Sequence, residues 1–239
     1  MIRRLAAITL WLLVGHAAWV ALFWGLLHVP ESSVWMLAVS AAVALGLVVL
    51  AATLTGGASA AWDTTRGVTT GLRRGVGLAP AAVAAAVVFG ALWWATGLVL
   101  EWHSGIAGQM DAWLIARTGR TDTRPVHFVI FWLAMFVRWS FGLTLASSLL
   151  AALATSGPRA ATEDGWLRSV LAPSRWLALT FWFVLLVAIP WHLVDWRPAR
   201  LSLGLEPWFV AAKFSAIAVS MAAGWALVLR AGHGATKKI

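Results

Sequence analysis

The chain has 239 residues, 61% of them hydrophobic and 11% charged, with no cysteine, no tyrosine and 18 tryptophans. Soluble domains average ~45–50% apolar and ~25% charged, so a soluble globular protein is excluded, and the missing cysteine excludes disulfides, thiolate metal sites, iron–sulfur clusters and cysteine nucleophiles. The net charge of +9 would suggest nucleic acid in a soluble chain, but in one this apolar the distribution of charge reports orientation, and no nucleic-acid partner is expected.

The order of apolar runs predicts an all-α integral membrane protein, a six-helix bundle forming one domain over 1–239, with short amphipathic interfacial helices in its loops. Span one covers about 5–28; its start, Met1-Ile2-Arg3-Arg4, has the charged head of a signal peptide, but the apolar run that follows is too long for a cleaved signal core. Pro30 stops it, and Ser32 or Ser33 can cap span two, about 34–54. The stretch from Gly56 to Gly77 is glycine- and arginine-rich and too polar to span, so it reads as a mobile basic loop on the membrane surface, with Arg66, Arg73 and Arg74 facing anionic headgroups. Span three runs from Pro80, tolerated in a first turn, to about 101.

Residues 104–116 carry Ile106, Met110, Trp113 and Leu114 at helical spacing and predict a short helix lying on the interface. Span four, about 126–154, is the longest apolar run, and Arg138 stands about twelve residues inside it, roughly 18 Å below the end at ~1.5 Å per residue. The connection 156–174 holds another short amphipathic piece around Trp166, Leu167 and Val170. Span five, about 175–194, contains Pro190, which kinks its last turn unless a neighbour satisfies the freed carbonyl. Span six covers about 208–229. The loose echo of GLRRGVGLAP in WLRSVLAPSRW raises the option of a duplicated two-span unit.

Charge orients the bundle. With the amino terminus inside, one face holds Arg3, Arg4, Arg66, Arg73, Arg74, Arg159, Arg168, Arg175, Arg230, Lys237 and Lys238 against Asp63, Glu163 and Asp164, while acids slightly outnumber bases on the other. This is the positive-inside pattern of a multi-pass cell-membrane protein with both termini cytoplasmic. Tryptophans such as Trp24, Trp35, Trp191, Trp196 and Trp208 fall at span ends, where an indole can meet headgroups and water.

Small residues recur every fourth position in three spans: Ala38, Ala42 and Gly46; Ala82, Ala86 and Gly90; Ala212, Ala216, Ser220 and Gly224. Such ridges let backbones approach, either within the bundle or, for span six, against another chain. His28, His127 and His192 lie near one depth at span ends and His16 lies mid-membrane, so a metal, haem or pigment has candidate ligands, although no two histidines share a helix face. Lys213 lies seven residues after Glu206 on one face, within reach of pairing. A guanidinium cannot shed its proton, so Arg138 must be hydrated, hydrogen-bonded or paired, with a lipid phosphate, an anionic substrate or a partner's acid as external options.

No Walker loop, GxGxxG, GxSxG or paired intramembrane carboxylates occur, so an enzyme is not expected and no cofactor is required by the sequence. The leading expectation is a noncatalytic membrane-embedded subunit or scaffold that packs against other membrane proteins, with the bilayer and those subunits as partners. A transporter or permease subunit with Arg138 in an anion path is the second reading. A haem- or pigment-binding subunit using His16 or the histidines at the span ends is the third.

Overall fold

A computed structural model describes residues 1–30, 33–65, 67–119, 124–157, 159, 166, 170, 174–196 and 204–236. Among them there is no strand, and six helices are long and apolar enough to cross a membrane. The fold is an all-α bundle of six spans.

Helix α1 (Ile2–Leu26) is followed by α2 (Val34–Ala60), whose first turn is capped by Ser33 Oγ accepting from the Met36 amide at 3.3 Å. Helix α2 runs a turn and a half past the expected end, and Gly56 to Trp62 are buried. The first third of the stretch read as a mobile surface loop is therefore part of the core, and its later part is folded against it. Its glycines explain why: a Cβ on Gly71, in the short helix α3 (Val68–Arg73), would lie 2.5 Å from Ala61 Cα, and one on Gly75 would strike the Thr53 carbonyl. Only glycine lets α3 and the start of the next helix press onto the end of α2.

Helix α4 (Gly75–Thr118) joins span three and the 104–116 segment in one continuous rod, ended by Gly119 at φ +64°, whose amide donates to the Ile115 carbonyl at 2.9 Å. It begins before Pro80, which sits inside its second turn and leaves the Val76 carbonyl without that backbone donor. The apolar run of α4 continues to Leu100, so the helix extends for about 27 Å beyond it.

Span four comprises α5 (Arg124–Phe136), a π-helical turn (Val137–Phe141) and α6 (Gly142–Ser156). Span five is built in the same way, from α7 (Ser174–Phe183), a π-helical turn (Val184–Ala188) and α8 (Ile189–Asp195). The second turn answers the proline. Its wide register bonds the Ile189 amide to the Val184 carbonyl, and the next bond of that register, from Pro190 to Leu185, has no donor. Ser220 of α9 (Glu206–Thr236) supplies one: its Oγ donates to the Leu185 carbonyl at 2.9 Å.

Helices α1, α2, α4, α6 and α9 form a closed circuit of neighbours, and span five packs outside it against α9 and the first π-turn. The termini and the basic connections share one end of this ring, here the basic end. Burial is concentrated there, on Ile8 and Leu12, Leu54 and Ala58, Leu78 and Ala82, Leu149 to Ala152, and Ala226 to Leu229, while Val20, Leu45, Val87 and Phe214 nearer the distal end are exposed. Three indoles tie the ring's helices together. Trp11 and Trp19 of α1 donate to the Leu54 and Leu47 carbonyls of α2 at 3.2 and 3.0 Å, and Trp62 donates to the Ala226 carbonyl of α9 at 2.9 Å. Arg4 completes the closure by donating to the Asp63 carbonyl at 2.8 Å. The connection 156–174 lies almost entirely outside the described residues, so its amphipathic helix is not addressed.

Candidate functional site: an arginine at the rim of an apolar chamber

Arg138 sits in the first π-turn, where the widened backbone turns its side chain toward α4. Its Cζ lies 3.6 Å from the centroid of the Trp93 ring, and Nη2 donates to the Trp93 carbonyl at 3.0 Å. Thr96 Oγ1 donates to the same carbonyl at 2.9 Å. A cation over an indole face out of water gains ~2 kcal/mol or more, so Trp93 offsets part of the cost of this charge with both its ring and its backbone. Gly97 leaves room for the group, since a Cβ there would lie 3.2 Å from Nη2.

The backbone of Arg138 is within the span, and its guanidinium lies level with Trp93 and Gly97, one to two turns inside the Leu100 end of the apolar run of α4. A long arginine stem lets the charge climb toward the interface while its methylenes stay in apolar surroundings. Among the described residues one of its five N–H donors is used, and Nε is buried with no acceptor there. Two hydroxyls, Ser140 Oγ within the π-turn and Thr144 Oγ1 just beyond it, are also buried and unpartnered among those residues.

Below the arginine an aromatic cluster continues inward. The Trp93 and Trp139 rings meet edge-on at 4.6 Å, and Phe89 lies 5.9 Å from Trp93 and 6.1 Å from Trp139. Phe89 in turn lines a chamber of about 680 Å³ that the five-helix ring forms and leaves open on one side. The walls are apolar, from Phe23 and Leu47 through Ala82 and Ala86 to Leu143 and Leu150, with Thr55 and Ser147 as the polar exceptions. Ser147 Oγ donates to the Thr144 carbonyl at 3.1 Å and so presents no free donor to the chamber. On its exposed side the chamber is bordered by Val48 of α2 and Val83 and Val87 of α4.

No family model, curated protein or solved structure matches this chain. The site is therefore read from its own geometry.

The other sequence candidates are dispersed. Gly224 and Ser220 of the span-six ridge are used within the chain, since a Cβ on Gly224 would lie 2.6 Å from Leu186 Cδ2, whereas Ala212 and Ala216 are exposed. Ala38, Ala42 and Gly46 of α2 are all exposed, and a Cβ on Gly46 would meet nothing within 4 Å. Arg73 and Arg74 are exposed at the basic end; Arg66 lies outside the described residues.

His16 is exposed on α1 with Nδ1 donating to the Leu12 carbonyl at 2.7 Å, which leaves Nε2 as its acceptor nitrogen. His28 donates in the same way to the Trp24 carbonyl at 2.8 Å, and His192 stacks on Trp132 with centroids 5.7 Å apart. The side chain of His127 lies outside the described residues. Among those described, no three of His, Asp and Glu converge on a point a metal could occupy. Lys213 does not reach for Glu206: its Nζ donates to the Val194 carbonyl at 2.7 Å, one of the acceptors that the end of α8 leaves without a helical partner.

Sequence reasoning missed Trp93 and the chamber. A signal existed: Trp93 and Gly97 sit one turn apart near the end of span three, the pairing of flat ring and bare backbone that a guanidinium from a neighbouring helix requires. The chamber leaves no comparable trace, because its walls are ordinary apolar positions.

Proposed function

We propose that this chain is a noncatalytic membrane-embedded subunit that packs against other membrane proteins, held in the cell membrane with its basic end and both termini in the cytoplasm. The carrying observation is that its close-packing surfaces are only partly used internally. The ridge of α9 docks on span five at Gly224 and Ser220 and then continues, uncovered, through Ala216 and Ala212; the ridge of α2 is uncovered throughout. Lipid gives little reason to keep backbone so accessible, whereas an approaching helix does. The projecting part of α4 adds a second surface, with Met110 and Trp113 at 44% and 60% exposure beyond the apolar span.

The test uses Gly46→Leu. Because nothing lies within 4 Å of the added carbon, the isolated chain should melt in mild detergent at the wild-type temperature, yet it should lose the membrane proteins that co-purify with the wild type. An unchanged set of co-purified proteins would show that the α2 ridge faces lipid.

A further inference from the structure

Arg138 does not itself line the chamber, but one stripe of α4 connects the two, with the Trp93 and Trp139 rings between the guanidinium and Phe89 on the chamber wall. Ala82, Ala86, Phe89, Trp93 and Gly97 recur at three- or four-residue spacing, so they share a helix face. The first three lie along the chamber or its wall, the fourth holds the guanidinium by ring and carbonyl, and the fifth leaves it space. Span four runs antiparallel along the same path, from Arg138 through Leu143 to Leu150. A positive charge one to two turns inside the end of the apolar run of α4 thus stands near a deep apolar space that has an exposed flank, with donors to spare among the described residues.

We propose that this unit binds one phospholipid, with the phosphodiester on the Arg138 guanidinium and an acyl chain in the chamber. The polarity order matches that of a lipid in its leaflet: charge toward the interface, hydrocarbon inward. The remaining Nη hydrogens of Arg138 supply charge-assisted donors to phosphate oxygens, an acceptor geometry that a planar guanidinium suits. The chamber offers a chain an almost wholly apolar wall: of its two hydroxyl residues, Thr55 and Ser147, the second is already bonded to the Thr144 carbonyl. Charge complementarity at the rim selects a phospholipid over a neutral apolar molecule, and the apolar depth selects it over a free anion. No histidine lines the chamber, so a pigment or haem would find no axial ligand in it.

The inference is tested on the full chain, delipidated in detergent and then examined by native mass spectrometry. Three probes are added separately: phosphatidylglycerol, diacylglycerol with the same chains, and inorganic phosphate. The wild type should retain one phosphatidylglycerol, hold diacylglycerol about tenfold less well, and be unaffected by inorganic phosphate, tenfold being the scale of one charge-assisted contact. Arg138→Leu should lower phosphatidylglycerol retention by about tenfold or more, and Arg138→Lys should restore part of it. Ala86→Phe, which fills the chamber from its wall, should lower retention similarly while the melting temperature stays near wild type, separating loss of the site from loss of the fold. Equal retention of the phospholipid by wild type and Arg138→Leu, equal retention of diacylglycerol, competition by inorganic phosphate, or no retained lipid in the wild type would each overturn the proposal.

Discussion

Trp62 is 6% exposed, and its indole N–H reaches across 164 positions of sequence to the Ala226 carbonyl. Trp62→Phe keeps the ring and removes the donor, so the stability lost should reflect one buried hydrogen bond, about 1 kcal/mol. Thermal melts in detergent measure it, with Trp24→Phe as the control: Trp24 is 65% exposed, and its replacement should leave the midpoint unchanged. Individual side chains were only partly legible in the sequence. The position of Arg138 gave the depth of its Cα, but the charge sits at the far end of a flexible stem, and only the location of Trp93 on the facing helix decides where that end rests. Lys213 is similar: pairing with Glu206 satisfied spacing, but the unpartnered carbonyl at the end of α8 competes more effectively.

At the level of elements, Pro190 and Ser220 form a matched pair: one removes a donor from span five, the other returns it from α9. Ser220→Ala should therefore cost roughly 1 kcal/mol in the wild type and less in a Pro190→Ala background, where residue 190 regains its N–H. A double-mutant cycle read by thermal unfolding gives the coupling; strictly additive effects would separate the two residues. Sequence reasoning located the proline and its need for a neighbour but could not name the neighbour, which lies in another span. It divided α4 between Glu101 and residue 104 because polar residues interrupt the apolar run there, yet none of these breaks a helix as an interior proline can. It also treated GGASAAW as surface because the composition is weakly apolar, whereas small size, not hydropathy, is what a tight helix junction selects.

For the whole molecule, the number of spans was legible because each must carry about twenty apolar residues to cross hydrocarbon. Their arrangement was not. Helices that are apolar on every side show no stripe to indicate which face meets a neighbour, and packing here depends on glycine contacts and indole N–H bonds between positions far apart in sequence. Charge alone orients the bundle. A single cysteine at Arg74, exposed at the basic end of a chain with no native cysteine, should react with an impermeant thiol reagent only from the cytoplasmic side. Reaction in intact cells from outside would reverse the assigned orientation. Gly71 is unsuitable for this purpose, because any side chain there meets Ala61.

The uneven burial along the ring also has a kinetic consequence. Each helix is anchored by packed side chains near the basic end and borders open space or the chamber farther out, so the free energy of local opening should fall along a single helix. Hydrogen–deuterium exchange in detergent should resolve this within α2, with the amides of Leu54 to Ala60 protected far longer than those of Leu37 to Leu45. Uniform protection would contradict it. Breathing confined to one end lets the ring act as a clasp: it can loosen and re-form around what enters from the bilayer without its helices losing register.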